Sequence, residues 1–370
     1  MKPFKYGCVV GADFFCPRPA LQKRLVEYIG DGQNVVLSGE RRMGKTSLVF
    51  AVHRQLKKYL MVYVDLLNIR TVADFCNRVA TAVAQLKKDA SFGTKAIRFI
   101  SRLRPTLSID PENGMPVVSV ATRAAADPRS VTEVIEAIER IAEREKVFVV
   151  FDEFQEVLKI DDSEQVLALL RSRIQLLQDT CFVFSGSVRS DMVSLFTDPQ
   201  SAFYKSALTL EVANIPDEDF IPFLIRRFAS GKRQADVGFI EKILDFTNRT
   251  TGDVQQLCAA IWSTSENGVR LTEENLSAGL QDVFDTEGAQ FEYQTSSLTR
   301  YQLKALAGLA KFGGNKVYSA EFLSRTEMPS TATLAKAVKR LVDNRLIYCR
   351  NKEYRFFNPF LRAWILRRGF

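Results

Sequence analysis

The run Gly39-Glu40-Arg41-Arg42-Met43-Gly44-Lys45-Thr46 matches the phosphate-binding pattern G-x-x-x-x-G-K-[ST], and no other eight residues constrain this chain as strongly. A loop of this kind works between a strand and a helix. Both flanks are present: the apolar stretch Val35–Ser38 precedes it, and a helical pattern opens at Ser47. Glycines let backbone N–H groups turn inward around a phosphate, and the helix N-terminus adds the positive end of its dipole. Lys45 reaches the β- and γ-oxygens, while the Thr46 hydroxyl is suited to Mg²⁺. Residues 39–47, Ser47 included, are therefore the candidate ATP site, with Mg²⁺ as the accompanying ion. The competing reading is a glycine-rich turn with a solvated lysine.

A metal at such a loop needs a second carboxylate. Residues 147–151 are uninterrupted apolar and run into Asp152 and Glu153. Asp152 is the candidate to hold Mg²⁺ through water, and Glu153 to orient and activate the water that attacks the γ-phosphate. Alone, the pair would equally suit the start of a helix; with the loop upstream it reads as the acidic half of an ATPase site. A further strand at 181–185 leads to Gly186 and Ser187, and Ser187 is chosen over Ser185 as γ-phosphate sensor, although a small-residue turn fits the same run. The catalytic set is then Lys45, Glu153 and Ser187. Arg189 and Lys205 are cations that could meet a γ-phosphate in cis or from a neighbouring copy, which makes a nucleotide-dependent oligomer a matter to test. A small-molecule kinase would use the same loop but needs an acceptor site, and the sequence offers no such constellation.

Around these motifs the first 212 residues alternate β-branched runs (35–38, 61–65, 147–151, 181–185, 207–212) with stretches of helical period. Strands almost without polar alternation are buried on both faces, which describes an α/β core with a helix-covered parallel sheet. We assign the core to residues 1–213, with an insertion at 91–125. Within it, 106–110 and 116–121 flank Pro111-Glu112-Asn113-Gly114 as a hairpin. The basic stretch 95–104 (Lys95, Arg98, Arg102, Arg104) suits a DNA or subunit contact, yet Ile97, Phe99 and Ile100 could equally seat it on the core. Residues 214–294 read as wholly helical, with starts at Asp217, Asp236, Asp253 and Thr272. In 295–370, helices at 299–312, 319–325 and 330–344 precede strands 346–350 and 353–357 around Asn351-Lys352, the pattern of a winged helix.

Charge sorts along the same boundaries. The chain holds 51 Lys+Arg against 43 Asp+Glu, net +8, but residues 298–370 alone hold 15 against 4, net +11, leaving the other 297 at −3. In helix 330–344, Leu334, Val338, Leu341 and Val342 share a face; Thr333, Lys336 and Arg340 lie opposite, with Lys339 alongside. That face is the candidate DNA-reading surface, and Arg350, Lys352 and Arg355 on the wing are candidate phosphate contacts. A winged helix that docks a protein partner is the alternative.

Several classes are excluded. A single histidine, His53, leaves little room for a Ser-His-Asp triad and none for a multi-His metal site, and the six cysteines form no C-x-x-C pair. We expect them to serve as small buried hydrophobes in a reducing compartment. No apolar run approaches membrane-spanning length and the N-terminus does not read as a signal peptide, so a cytoplasmic protein with no membrane contact is expected.

Taken together, residues 39–47, 147–154 and 182–190, the run Thr250-Thr251-Gly252-Asp253-Val254-Gln255-Gln256-Leu257, and the terminal Asn358-Pro359-Phe360-Leu361-Arg362-Ala363-Trp364 resemble the archaeal-ATPase group of the AAA+/STAND branch of P-loop (ASCE-type) ATPases, close to the origin-recognition ATPases. The resemblance spans nearly the whole chain. It implies a parallel sheet of order 5-1-4-3-2, a helical lid over the nucleotide, ATP-driven switching, and an N-terminal segment (Phe14, Phe15, Arg18, Leu21, Leu25) near the adenine. Two departures stand out. Where the family reads T-G-G-x-P at the lid helix, this chain has Thr251-Gly252-Asp253-Val254, with Arg249 as a substitute sensor; and Lys205 stands where an arginine finger is sought.

Overall fold

In the computed structural model the apolar runs close into one sheet. Residues 2–86, 105–109, 116–120, 128–186, 189–350 and 352–369 are described. In chain order the first part comprises α1 (Pro19–Gly30), β1 (Val35–Ser38), α2 (Lys45–Gln55), β2 (Tyr59–Asp65) and α3 (Val72–Gln85). It continues through β3 (Pro105–Ile109), β4 (Pro116–Val120), α4 (Ser130–Ala142), β5 (Lys146–Asp152), a 3₁₀ segment (Phe154–Lys159), α5 (Ser163–Ile174), β6 (Cys181–Gly186), α6 (Arg189–Thr197) and β7 (Leu208–Glu211). The sheet order is β2-β5-β6-β1-β7, with every pair parallel. Counting only these five strands gives 2-3-4-1-5, the order 5-1-4-3-2 read from the other edge. β3 and β4 pair antiparallel, Pro105 opposite Val120. The basic stretch 95–104, the hairpin turn at 111–114 and Ser187 lie outside the described residues.

Register sets where chemistry can occur. Ser38 lies opposite Gly186, and Asp65 opposite Asp152, so the ends of β1, β5 and β6 form one edge, with β6 between the loop strand and the acid strand. Ligands of open α/β sheets bind at this carboxyl edge. Below it lies an aromatic wedge. Phe154 sits against Phe184 at 4.7 Å and Phe203 at 5.4 Å between ring centroids, which pins the 3₁₀ segment immediately after Asp152.

The chain divides into two compact units, Val9–Asn214 and Met1–Cys8 with Ile215–Phe370. The first eight residues thus group with the second unit rather than with the strands that follow them. Phe4 is buried against Phe228 at 4.6 Å, and the Arg227 guanidinium donates to the Pro3 carbonyl from Nε at 2.7 Å. The second unit continues with α7 (Asp217–Ser230), α8 (Val237–Phe246), α9 (Thr251–Thr264) and α10 (Glu273–Ser296). α9 starts earlier than Asp253, because Thr250 takes the extended N-cap backbone and Asp253 is buried within the first turn. Then come α11 (Arg300–Phe312), α12 (Ala320–Arg325), α13 (Thr331–Asp343), β8 (Ile347–Arg350), β9 (Glu353–Phe356) and α14 (Pro359–Arg368). α14 closes this unit: Phe360 meets Phe246 of α8 and Trp364 meets Phe291 of α10, at 5.8 and 5.9 Å.

Side-chain caps define several of these helices. Ser330 accepts from the Thr333 N–H at 3.2 Å, and α13 then buries Leu334, Ala337, Val338 and Leu341. Ser330→Ala is expected to cost about 1 kcal/mol, read as a lower thermal midpoint with faster amide exchange confined to the first turn of α13. Four cysteines are buried as expected, whereas Cys8 and Cys349 are exposed; all six are free. Among the described residues no helix is long and apolar enough to cross a membrane.

Candidate nucleotide site

The loop leaves β1 at Gly39, whose Cα faces the β7 exit so closely that an added Cβ would lie 2.8 Å from the Val212 carbonyl oxygen. At the other end Gly44 holds φ +83°, a left-handed conformation that favours glycine, and opens α2 with no side chain to cap it. The first N–H groups of α2 are therefore left to an external acceptor, the arrangement that receives anions. Lys45 is buried beneath the loop, its ammonium donating to the carbonyls of Gly39 at 2.9 Å and Glu40 at 3.0 Å. Burial pulls this ammonium below its ordinary value, opposed by the charges of Glu153 and Asp152.

The acidic half converges on the same place. The Thr46 hydroxyl donates to Asp152 Oδ2 at 2.7 Å across 106 residues of chain, and the Tyr63 hydroxyl donates to the same oxygen at 2.8 Å. Burial, and then the Asp152 carboxylate, push the Tyr63 phenol above its ordinary range. Glu153 follows with φ +54°, a left-handed backbone for a non-glycine residue, and its Oε2 accepts from the Gln155 amide at 2.6 Å. Gln155 is itself buried, with Oε1 unpartnered among the described residues and directed at Gly186, where an added Cβ would lie 2.2 Å away. The Ser185 hydroxyl, at the same edge, is likewise buried and unpartnered among the described residues.

A buried cation, uncapped helix N–H groups and a paired hydroxyl and carboxylate form the donor set that a nucleotide phosphate with Mg²⁺ requires, so the residues present fit both groups. Other sequence candidates are placed differently. Arg41 and Arg42 are exposed, Arg42 at φ +64°, while Met43 is buried. The Ser47 hydroxyl accepts the Val10 N–H at 3.3 Å. Lys205 is exposed, its ammonium over the Tyr204 ring at 5.2 Å, and Arg189 opens α6. Arg249, the substitute sensor, is engaged by Asp217 and Asp245 at 3.0 and 2.8 Å. Those carboxylates hold its guanidinium within its own helical segment.

Two residues of this neighbourhood were missed in the sequence, and a third was given a different role. Tyr63 had a signal, being a polar-tipped ring in an otherwise apolar strand, where a buried hydroxyl seeks a partner. Gln155 had none, because its role depends on the 3₁₀ turn after Glu153. Arg18 was noted only for the adenine side. It is buried, and its guanidinium donates to the carbonyls of Met43 at 2.7 Å and Ala213 at 2.5 Å, fixing the loop to the β7 exit. Burial lowers its pKa to about 10.

On the winged-helix segment, Lys336, Lys339, Arg340, Arg350 and Lys352 are exposed. Thr333 turns its hydroxyl to Ser330 at 3.0 Å, and Arg355 pairs with Glu353 through Nε at 2.7 Å, so these two candidates already have local partners.

The sheet order and the loop define the P-loop fold of AAA type, and the C-terminal segment forms a winged helix. Family profiles agree: residues 29–189 match the AAA domain, and residues 289–367 match the family described as "Probable winged helix domain". Among solved structures, the chain is similar to a Walker-type ATPase of Pyrococcus abyssi, at 17% identity and TM-score 0.63, covering 96% of this chain and 97% of that one. It is also similar to the ORC2 protein of Aeropyrum pernix in its ADPNP-ADP complexes, at 15% identity and TM-score 0.56, covering 99% of both chains. The ADP form of that protein gives 14% identity and TM-score 0.52, covering 99% of this chain and 97% of that one. At these identities the likeness carries the fold. No curated protein matches the chain.

Proposed function

We propose that this protein binds and hydrolyses ATP with Mg²⁺, and that its nucleotide state governs a basic winged helix that binds DNA. One observation carries the ATPase part: Lys45, Thr46, Asp152 and Glu153, from two distant stretches of sequence, meet at one sheet edge, joined by the 2.7 Å bond between Thr46 and Asp152. Lys45 exchanges its loop carbonyls for β- and γ-phosphate oxygens. Thr46 and Asp152 would hold Mg²⁺, which when bound would supply neutralisation of the charge developing on the phosphates. Gln155 holds Glu153 through Oε2, and accepting the proton of the attacking water is the part of Glu153 in the chemistry. Ser187 is the proposed γ-phosphate sensor.

The helical segment 214–294 is the proposed lid and 295–370 the proposed winged-helix domain. That α14 packs on both α8 and α10 supports joint movement of the two. Lys336, Lys339 and Arg340 leave α13 on its exposed side, and the surplus of positive charge in this segment supports DNA as partner. Binding is expected to weaken linearly in log-log plots against salt, and replacing these three by alanine should lower that slope by about 2 to 3. Fluorescence anisotropy with a random duplex over a salt series measures it. No binding at low salt, with or without ATP, would favour the protein-docking alternative, a STAND-like signalling ATPase.

A further inference from the structure

The carboxylate that faces the loop has a second hydroxyl on it, and the established parts of such a site do not call for one. Asp152 Oδ2 accepts Thr46 at 2.7 Å and Tyr63 at 2.8 Å, while Oδ1 accepts the Glu153 N–H at 3.2 Å. Tyr63 stands on β2 opposite Val150, two residues before the Asp65–Asp152 pair, so its ring runs along the sheet to reach the acid. The ring rests on Phe50 of α2 at 5.2 Å. Thr46 and Phe50 are four residues apart on α2 and share a face. One helix thus presents a hydroxyl to the acid and a ring to the tyrosine, closing a four-membered arrangement of Thr46, Asp152, Tyr63 and Phe50.

This arrangement distinguishes the two hydroxyls. A single carboxylate oxygen has two in-plane lone pairs, and here both are taken. Thr46 gives up Asp152 when its hydroxyl turns to a metal. Tyr63 has no such alternative, because β2 and Phe50 hold its ring. We propose that Tyr63 is a positioning residue that fixes the Asp152 carboxylate in the orientation that receives Mg²⁺, and so sets how strongly nucleotide and Mg²⁺ binding are coupled. The inference rests on the ATP-binding reading above.

The test is Tyr63→Phe, which removes only the hydroxyl. Affinity for a fluorescent ATP analogue is measured in EDTA and across a Mg²⁺ series, so the readout is binding rather than turnover. In EDTA the variant should match the parent. The Mg²⁺ concentration giving half of the affinity gain should rise about five- to tenfold, the scale of one hydrogen bond to a charged group felt in part. In an Asp152→Asn background the same substitution should leave the midpoint where it was, since the coupling runs through that carboxylate. Phe50→Leu, which loosens the ring and keeps the hydroxyl, should shift the midpoint in the same direction by less. An unchanged midpoint overturns the proposal, and so does equal weakening in EDTA and Mg²⁺, which marks a purely structural tyrosine. Absence of nucleotide binding by the parent protein would instead remove the ATP-site reading itself.

Discussion

Glu153→Gln is expected to lower phosphate release from ATP by about 10²- to 10³-fold while leaving ATP affinity within about threefold. The substitution is nearly isosteric, and its side-chain oxygen can still accept the 2.6 Å bond from Gln155, so the 3₁₀ turn anchored by Phe154 should survive. What is lost is the basicity needed to take a proton from water. Single-turnover phosphate release and equilibrium binding, measured on the same preparation, separate the two quantities. Release that persists at the parent rate would show that Glu153 is not the base. Release that proceeds without any added acceptor also discriminates against a small-molecule kinase on the same loop.

Lys45→Met should weaken ATP binding about 100-fold or more, since it removes the one buried cation of the loop. The thermal midpoint of the nucleotide-free protein should not fall, and this second half of the expectation comes from the structure. The Lys45 ammonium is buried and lies on two carbonyls, and its pKa is pulled down by burial, so the charged form is disfavoured relative to water. By linkage, a lysine whose folded pKa is depressed disfavours the folded state while it is protonated, and that penalty disappears only as pH rises toward its ordinary value. A buried lysine that opposes folding at a helix start is what the proposed phosphate site calls for. Calorimetry of both proteins without nucleotide, followed by titration with ATP, checks both halves. A large fall in midpoint would mean that Lys45 is a structural staple.

Much of the candidate site was legible before any coordinates. The spacing of Gly39, Gly44, Lys45 and Thr46 is itself chemical information, because a loop that wraps a phosphate leaves little choice of residue at each position. Asp152 and Glu153 were readable for a related reason: an apolar strand that runs into two carboxylates has to end at an edge where they find polar partners, as Asp152 does in Thr46 and Tyr63. The parallel sheet followed from strands lacking polar alternation. Cap residues located α8, α10 and α13, since Asp236, Thr272 and Ser330 mark helix starts through local hydrogen bonds.

The remainder depended on contacts between residues far apart in the chain. Tyr63 reaches Asp152 across 89 positions and Arg18 reaches Ala213 across 195, and no local pattern encodes either. Arg249 reads as a substitute lid sensor and Arg355 as a phosphate contact in the sequence, and folding gave each a local carboxylate partner. The grouping of the first eight residues with the second unit likewise turned on Phe4 finding Phe228. By itself the sequence determined where the loop, the acid strand and the parallel core fall, because covalent order and side-chain type suffice for those. Tertiary structure alone decided which polar groups hold Asp152, Glu153 and the loop in place, because a hydrogen bond needs its partners within about 3 Å and only the folded chain sets that distance.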